Sequence, residues 1–411
     1  MGAELTLEPT SLDLPSSPDL ARMRRDRGAR LRSLMADKGI DALVLLDNAN
    51  VSYATGATWP LSDAGRGNVE RPVAVVLADD EAPHLFTPFL ADAASEIGLD
   101  DDHLHGPTYL DLDEGVTAFA QALGELVPAG ATVAVDDVTG AMHGGHTQLF
   151  ADWPPRGAGE VMNPARVVKT PDELACLRHS MWITEQAMAE VQDRLVPGAR
   201  QTDLTATFLH RVFELGADAN VLDPIWQVMP DHQAELPWTV HGDLACPLLS
   251  SERVLEAGDV LWVDAGISYG GYHSDFGRTW VVGAEPTARQ QAQYRRWCDI
   301  DEAVLAVTRA GVTAAELTAA ARQVYEGEQP WMAHFYLGHG LGLNSAEAPY
   351  VGTDLGDDYD RRLVLAAGTV VVVEPVVWDE GHSGYRSENV FVVTEGGWVN
   401  LTDYPYDPYG D

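Results

Sequence analysis

"LEAGDVLWVDAGISYGGYHSD" (255–275) and "LAAGTVVVVEPVVWDEGHSGYRSE" (365–388) carry one pattern twice. Each begins Leu-x-Ala-Gly-x-Val-x-x-Val and reaches a carboxylate, Asp264 in the first and Glu374 in the second. Each closes on Gly-Tyr-x-Ser and a second carboxylate, Asp275 and then Glu388. The apolar runs read as buried strands. A carboxylate ending such a strand is costly unless it is paired or bound to a cation. Strand-end acids can cap loops or meet arginines, and one "VDAG" alone would be read that way. Two matched pairs differ: related by pseudo-symmetry, four acids would meet at one locus and repel. A dinuclear metal centre relieves that repulsion.

A fifth group joins them. In "HFYLGHGLGLNSAEAP" (334–349), Gly338, Gly340 and Gly342 surround His339. These glycines are expected to let backbone and metal approach closely. Four carboxylates and one imidazole form a mostly oxygen site, which favours Mn²⁺ or Fe²⁺ and leaves Co²⁺ and Zn²⁺ possible. Two such ions can hold a bridging hydroxide at neutral pH and polarise a carbonyl.

The 411 residues suffice for two domains. Acidic residues outnumber basic ones 63 to 26, for a net charge of −37, which argues against nucleic acid or an anionic membrane as partner. No apolar run is long enough to span a bilayer. The first residues lack an apolar signal core, and Cys176, Cys246 and Cys298 lack metal-ligand spacing, so a reduced cytoplasm is expected.

The first part alternates helix and strand signals. A helix is expected from a cap at Asp19 to a stop at Gly39, followed by strands in "IDALVLL", "RPVAVVLAD" and "ATVAVDD". "NANVSYATG" (48–56) reads as a polar turn, and Pro154, Pro155, Gly157 and Gly159 as a loop between domains. Thr170-Pro-Asp-Glu173 then forms a capping box. The helix it opens has a core stripe of Leu174, Leu177, Met181, Met188, Val191 and Leu195, ended by Pro197-Gly198. Thr313-Ala-Ala-Glu316 is a second capping box. The fold class is two-domain α/β.

The order Asp264, Asp275, His339, Glu374, Glu388 resembles the five-ligand set of the pita-bread metallopeptidases, which include methionine aminopeptidase, prolidase, aminopeptidase P and the metal-free creatinase. "NANVSYATG" resembles a motif of the creatinase-type N-terminal domain, and "RVVKTPDELACLRHS" (166–180) the segment that opens the catalytic domain of prolidases. The resemblance implies a creatinase-type α/β domain over 1–163 and a pseudo-twofold pita-bread catalytic domain over 164–411. It points to the prolidase, aminopeptidase P and creatinase branch, in which homodimers are common. It implies that Asp264 and Glu374 each bind one metal, that Asp275 and Glu388 bridge or chelate, and that His339 completes one shell.

The departures lie on the substrate side. Where the peptidases carry a histidine seventeen residues before the first metal aspartate, this chain has Pro247. The histidine seven residues after the metal histidine is replaced by Ala346, and one often found four residues before it by Phe335. His334, Glu347, His273 and His241 are the candidates to replace them as acid or base, His334 and Glu347 foremost, although for each taken alone a structural role is the commoner outcome. Arg386 either pairs with Glu388 or meets a substrate carboxylate. Tyr53, Trp59, Trp226, Trp238 and Trp331 are candidates to line a pocket.

Three readings follow from the resemblance. The first is a dinuclear hydrolase cleaving an amide C–N bond of a dipeptide, short peptide or small amide, with Glu374 carrying the proton. The second is a lyase of the same fold. Dimethylsulfoniopropionate lyases carry an aspartate where Ser345 stands, so the elimination would be a different one. The third is a non-catalytic binding protein, disfavoured by the complete ligand set.

Overall fold

The structure is a computed structural model and describes residues 14–57, 71–144, 149–150, 153, 155–232 and 252–405. The chain divides into two compact units, one of residues 17–166 and one carrying residues 167–411. The division falls inside the helix Gly159–Val167.

The first unit is built on a six-stranded sheet of order β4-β3-β2-β1-β5-β6. Its strands are β1 Ala42–Leu45, β2 Val73–Leu77, β3 His84–Phe86, β4 Leu104–His105, β5 Val133–Val135 and β6 Arg156–Gly157. β1 runs antiparallel to β2 and parallel to β5. The helix Leu20–Lys38 starts where Asp19 accepts from the Arg22 amide and stops at Gly39 in the left-handed region. "NANVSYATG" is not a turn: Asn48–Thr55 is a helix, with Asp47 accepting from the Asn50 amide. Its seven last residues are buried and the Tyr53 hydroxyl donates to the Ala165 carbonyl at 2.8 Å, so burial overrides weak local propensity. Part of the expected interdomain loop is likewise ordered: Gly157 lies in β6 and Gly159 begins a helix that contains Pro164.

The second unit repeats one plan. Its strands are β7 Ala219–Val228, β8 Val260–Tyr269, β9 Tyr272–His273, β10 Phe276–Val281, β11 Gly338–Gly340, β12 Glu347–Val351, β13 Val370–Val373, β14 Val376–Trp378, β15 Gly384–Arg386, β16 Asn389–Val393 and β17 Trp398–Asn400. One antiparallel sheet has the order β10-β8-β7, a second β12-β11-β13-β16-β17, and β14 pairs with β15. The helices Pro171–Gln192 and Gln201–Glu214 pack Ile183, Met188, Leu204 and Phe208 against Val263, Ala265 and Phe276. The helices Ala288–Val307 and Ala314–Val324 pack Trp297, Ile300 and Leu317 against Val371, Val373 and Phe391.

Strand alternation then decides where the acids go. Val263 and Ala265 face the helices, so Asp264 between them faces the other way. The same parity sets Asp275 opposite Phe276 and Glu374 opposite Val373. Asp264 lies in the middle of the ten-residue β8, not at a strand end; only Glu374, just past β13, ends its strand.

The helix Pro171–Gln192 carries the expected capping box, with Glu173 accepting from the Thr170 amide at 2.7 Å. The same carboxylate accepts from the Tyr272 hydroxyl at 2.5 Å, tying the start of the helix to the "GYHSD" motif. The helix ends at Gln192, before Pro197.

Candidate metal centre

Asp264, Asp275, His339, Glu374 and Glu388 converge, and none is more than 8% exposed. His339 is the middle residue of β11 and pairs with Val372 of β13 and Tyr350 of β12. Glu374 donates its amide to the Leu337 carbonyl at 3.0 Å, and Glu388 donates its amide to the Gly277 carbonyl at 3.2 Å. The second bond joins the two halves of the repeat, and the Ser387 hydroxyl reinforces it by donating to the same carbonyl at 3.0 Å.

The protein alone leaves this cluster short of positive charge. One oxygen each of Asp264, Asp275 and Glu388 lie within 4.8 Å of one another. Asp264 Oδ1 and Glu388 Oε1 are buried without a hydrogen-bond partner among the described residues. His339 Nδ1 lies 2.9 Å from the Gly340 carbonyl and so is the donor. That leaves the lone pair of the neutral ring on Nε2, which stands 3.2 Å from Asp275 Oδ2 and 3.4 Å from Glu374 Oε1. A lone pair aimed at two carboxylates needs a proton or a cation between them. Four carboxylates against one Arg386 guanidinium leave a formal excess of three negative charges, which two divalent ions together with one hydroxide would balance. The donor set therefore fits the metals its chemistry implies.

The protonation tendencies have the same origin. Burial, then the Asp275 charge, pushes Asp264 up to about 8, and burial with Asp275 and Asp264 raises Glu388 well above the carboxylate range. Burial opposes charge on His339, but Asp275 and Glu374 outweigh it and push the ring up to about 10. Glu374 is lowered despite its burial, because Arg386 and His339 stand beside it.

Arg386 is buried and bonds to Glu374, with Nη1 3.8 Å from Asp264 Oδ2. Its guanidinium lies 3.9 Å from the centroid of Trp262. The acid it bonds is thus Glu374, rather than its sequence neighbour Glu388. Glu347 is buried and meets Lys169 at 2.8 Å. His334 points outward, with a side chain 87% exposed and Nδ1 2.7 Å from Asp354. His273 is buried, with Nδ1 3.1 Å from the Ser345 hydroxyl. Phe335 packs on the cluster of Trp262, Met332, Val376 and Trp378, and the Ala346 carbonyl accepts from the Tyr350 hydroxyl at 3.1 Å. Tyr53, Trp226 and Trp331 are core residues rather than pocket walls. Trp59, Trp238, His241, Cys246 and Pro247 lie outside the described residues.

The glycines of the histidine loop serve packing. A Cβ on Gly338 would meet the Val372 carbonyl, one on Gly340 the Ala348 carbonyl, and one on Gly342 the Glu347 carboxylate. Their close approach is to neighbouring strands and to Glu347.

Sequence reasoning passed over Tyr336. Its ring stands edge-on to His339 with centroids 5.0 Å apart and stacks on Phe335 at 4.0 Å. Burial, then the charges of Glu374 and Asp275, raises its phenol far above the usual range, so the hydroxyl stays a donor. Its place three residues before His339 was the available signal.

Residues 175–395 match the metallopeptidase family M24. The chain belongs to that family. Residues 27–155 of this metallopeptidase match the creatinase/prolidase N-terminal domain, which fixes the two-part α/β architecture and the prolidase, aminopeptidase P and creatinase branch. It is 30% identical to a probable dipeptidase PepE of Mycobacterium tuberculosis over 90% of this chain and 92% of that one. It is 25% identical to an Xaa-Pro dipeptidase of Pyrococcus furiosus, over 92% and 98%. The crystal structure of dipeptidase PepE from Mycobacterium ulcerans superposes with a TM-score of 0.71 at 27% identity, covering 94% of this chain and 97% of that one. The protein is a metal-dependent hydrolase, and the lyase and binding-protein readings are not favoured. Among the described residues no helix is long and apolar enough to cross a membrane.

Proposed function

We propose that this metallopeptidase hydrolyses dipeptides, Xaa-Pro dipeptides among them, at a centre in which Asp264, Asp275, His339, Glu374 and Glu388 hold two divalent ions. The observation that carries this reading is the buried cluster itself: four carboxylates, two of them with oxygens that have no partner among the described residues, around one imidazole lone pair. Its relatives, a probable dipeptidase and an Xaa-Pro dipeptidase, supply the substrate class. The oxygen-rich donor set favours Mn²⁺ or Fe²⁺ over Co²⁺ and Zn²⁺. Bound there, the ions supply Lewis acidity and a nucleophilic water at neutral pH.

The chain's own groups do the rest. Arg386 holds Glu374 ionised and fixed, so that Glu374 accepts the proton released on attack and passes it to the leaving amine. Tyr336, whose ring stands against His339 and whose phenol stays protonated, donates to the carbonyl oxygen as negative charge develops on it. That is the part the histidines missing at Phe335 and Ala346 would otherwise play. Glu347, neutralised by Lys169, supports the histidine loop. The cytoplasm suits three scattered cysteines, Cys176, Cys246 and Cys298, without metal-ligand spacing, and a homodimer follows the habit of the branch.

The test is metal content and turnover together. Protein purified without added metal should carry about two Mn or Fe ions per chain. It should cleave members of a dipeptide panel that includes Xaa-Pro sequences. An Asp264→Ala/Glu388→Ala double variant should lose both metal and activity. Metal-loaded protein that cleaves no dipeptide would overturn the reading.

A further inference from the structure

Three of the chain's 13 histidines meet at one edge of the first unit, far along the sequence from the metal ligands. His84 begins β3, His105 ends β4, and His103 ends the short helical turn Asp101–His103 between them. Asp80 comes from the turn after β2. Its Oδ1 accepts from the Ala82 amide at 3.1 Å, which orients Oδ2 toward two imidazoles. His103 Nε2 is 3.2 Å and His84 Nε2 3.8 Å from that oxygen. The His84 and His103 rings stack with centroids 4.8 Å apart.

We propose that Asp80, His84 and His103 form a second metal site, specific for a transition metal of the zinc type, with His105 orienting one of its ligands. The distances fit such an ion. Ligand atoms about 2.0–2.2 Å from a tetrahedral Zn²⁺ lie roughly 3.3–3.6 Å from each other. The two measured separations bracket that edge, and one donor atom from each of the three residues lies within 4.8 Å of the others.

The surrounding groups prepare the donors. His84 Nδ1 is 3.0 Å from His105 Nε2. In the tautomer that donates from Nδ1, the His84 lone pair sits on Nε2, on the Asp80 side. A ligating histidine commonly donates its other ring N–H to a neighbour in this way. The Asp102 carbonyl also faces the His84 ring, and Phe86 stacks on His105 at 4.4 Å. His103 Nδ1 is buried without a partner among the described residues. Three protein ligands leave room for a water. The segments joined are the turn after β2, the start of β3 and the turn into β4, so the ion would clasp the β3–β4 edge of the sheet.

The full-length protein tests this without reference to catalysis. Wild type, His103→Gln and Asp80→Asn are stripped with a chelator and dialysed against equal free Zn²⁺, and bound zinc per chain is measured by elemental mass spectrometry. Each variant should hold one zinc fewer than wild type. Each should also lose the zinc-dependent rise in melting temperature of the first unit, while dipeptide hydrolysis by Mn-loaded protein stays within twofold. Asp80 is a third exposed, so Asp80→Asn keeps the test valid if the histidine variant misfolds. Equal zinc content in wild type and the folded variants would overturn the proposal and leave a hydrogen-bonded histidine cluster.

Discussion

Gly277 stands opposite Asp264 across the β8–β10 ladder, and a Cβ on it would come within 2.8 Å of a Glu388 carboxylate oxygen. The missing side chain in one half of the repeat leaves room for Glu388, a proposed ligand, from the other half. Gly277→Ala should keep the fold while displacing Glu388. A displacement of about 1 Å at a reacting centre costs on the order of 10²-fold in rate. Metal content and kcat should fall together, whereas Gly396→Ala, which meets nothing within 4 Å, should change neither. An unchanged kcat in Gly277→Ala would show that Glu388 tolerates another position.

Tyr336 stands edge-on to His339, with ring centroids 5.0 Å apart, without being one of the proposed five ligands. Tyr336→Phe retains the ring that stacks on Phe335 and removes only the hydroxyl. Loss of a single donor to a developing oxyanion costs about 10²–10³-fold in kcat. The variant should therefore bind the same metal with a KM close to wild type and turn over at least tenfold more slowly. Full activity in Tyr336→Phe would remove the phenol from the mechanism.

Arg386 supplies the positive charge nearest Glu374, so its removal should matter most when no ion is bound. Breaking a buried pair by deleting one partner costs about 3–5 kcal/mol. In metal-free protein Arg386→Met should lower the melting temperature of the second unit by on the order of 10 °C. Adding Mn²⁺ should recover much of that loss, because an ion that binds only the folded state stabilises it. Equal losses with and without metal would mean that Arg386 acts through packing on Trp262 alone.

Asp301 gives the second unit a pH dependence of its own. Burial, opposed by the Asn389 amide and by Arg278, pushes this carboxyl from 3.8 up to about 7. Asn389 Nδ2 donates to Oδ2 at 3.0 Å, and Oδ1 has no partner among the described residues, an arrangement suited to the protonated acid. The folded state therefore binds the proton more tightly than the unfolded chain. Its contribution is complete below about pH 4 and is lost as pH rises through 7, a loss on the order of 3 kcal/mol. Asp301→Asn mimics the protonated form and cannot ionise. The variant should match wild type near pH 4 and melt increasingly above it toward pH 8. A pH-independent difference would contradict the assignment.

Much of the catalytic unit was legible because its signals are local. The echo of 255–275 in 365–388 exposed the repeat, and the capping boxes at Thr170 and Thr313 marked helix starts that the structure forms. The first unit was less legible. Asn48–Thr55 has the composition of a turn, and it becomes a helix because Asp47 caps it and the surrounding core buries it.

The sequence by itself determined the family, the two-part architecture and the set of four acids and one histidine, since strand parity and a repeated motif are properties of neighbouring residues. Only the tertiary structure decided which charges meet. Arg386 bonds to Glu374, twelve residues back, rather than to Glu388 two residues on. Lys169 reaches Glu347 across 178 residues, His334 turns out to Asp354, and Asp80 gathers histidines from two later segments. The reason is physical: a buried charge is stabilised by whatever the folded backbone brings within a few ångströms, and sequence separation does not enter Coulomb's law.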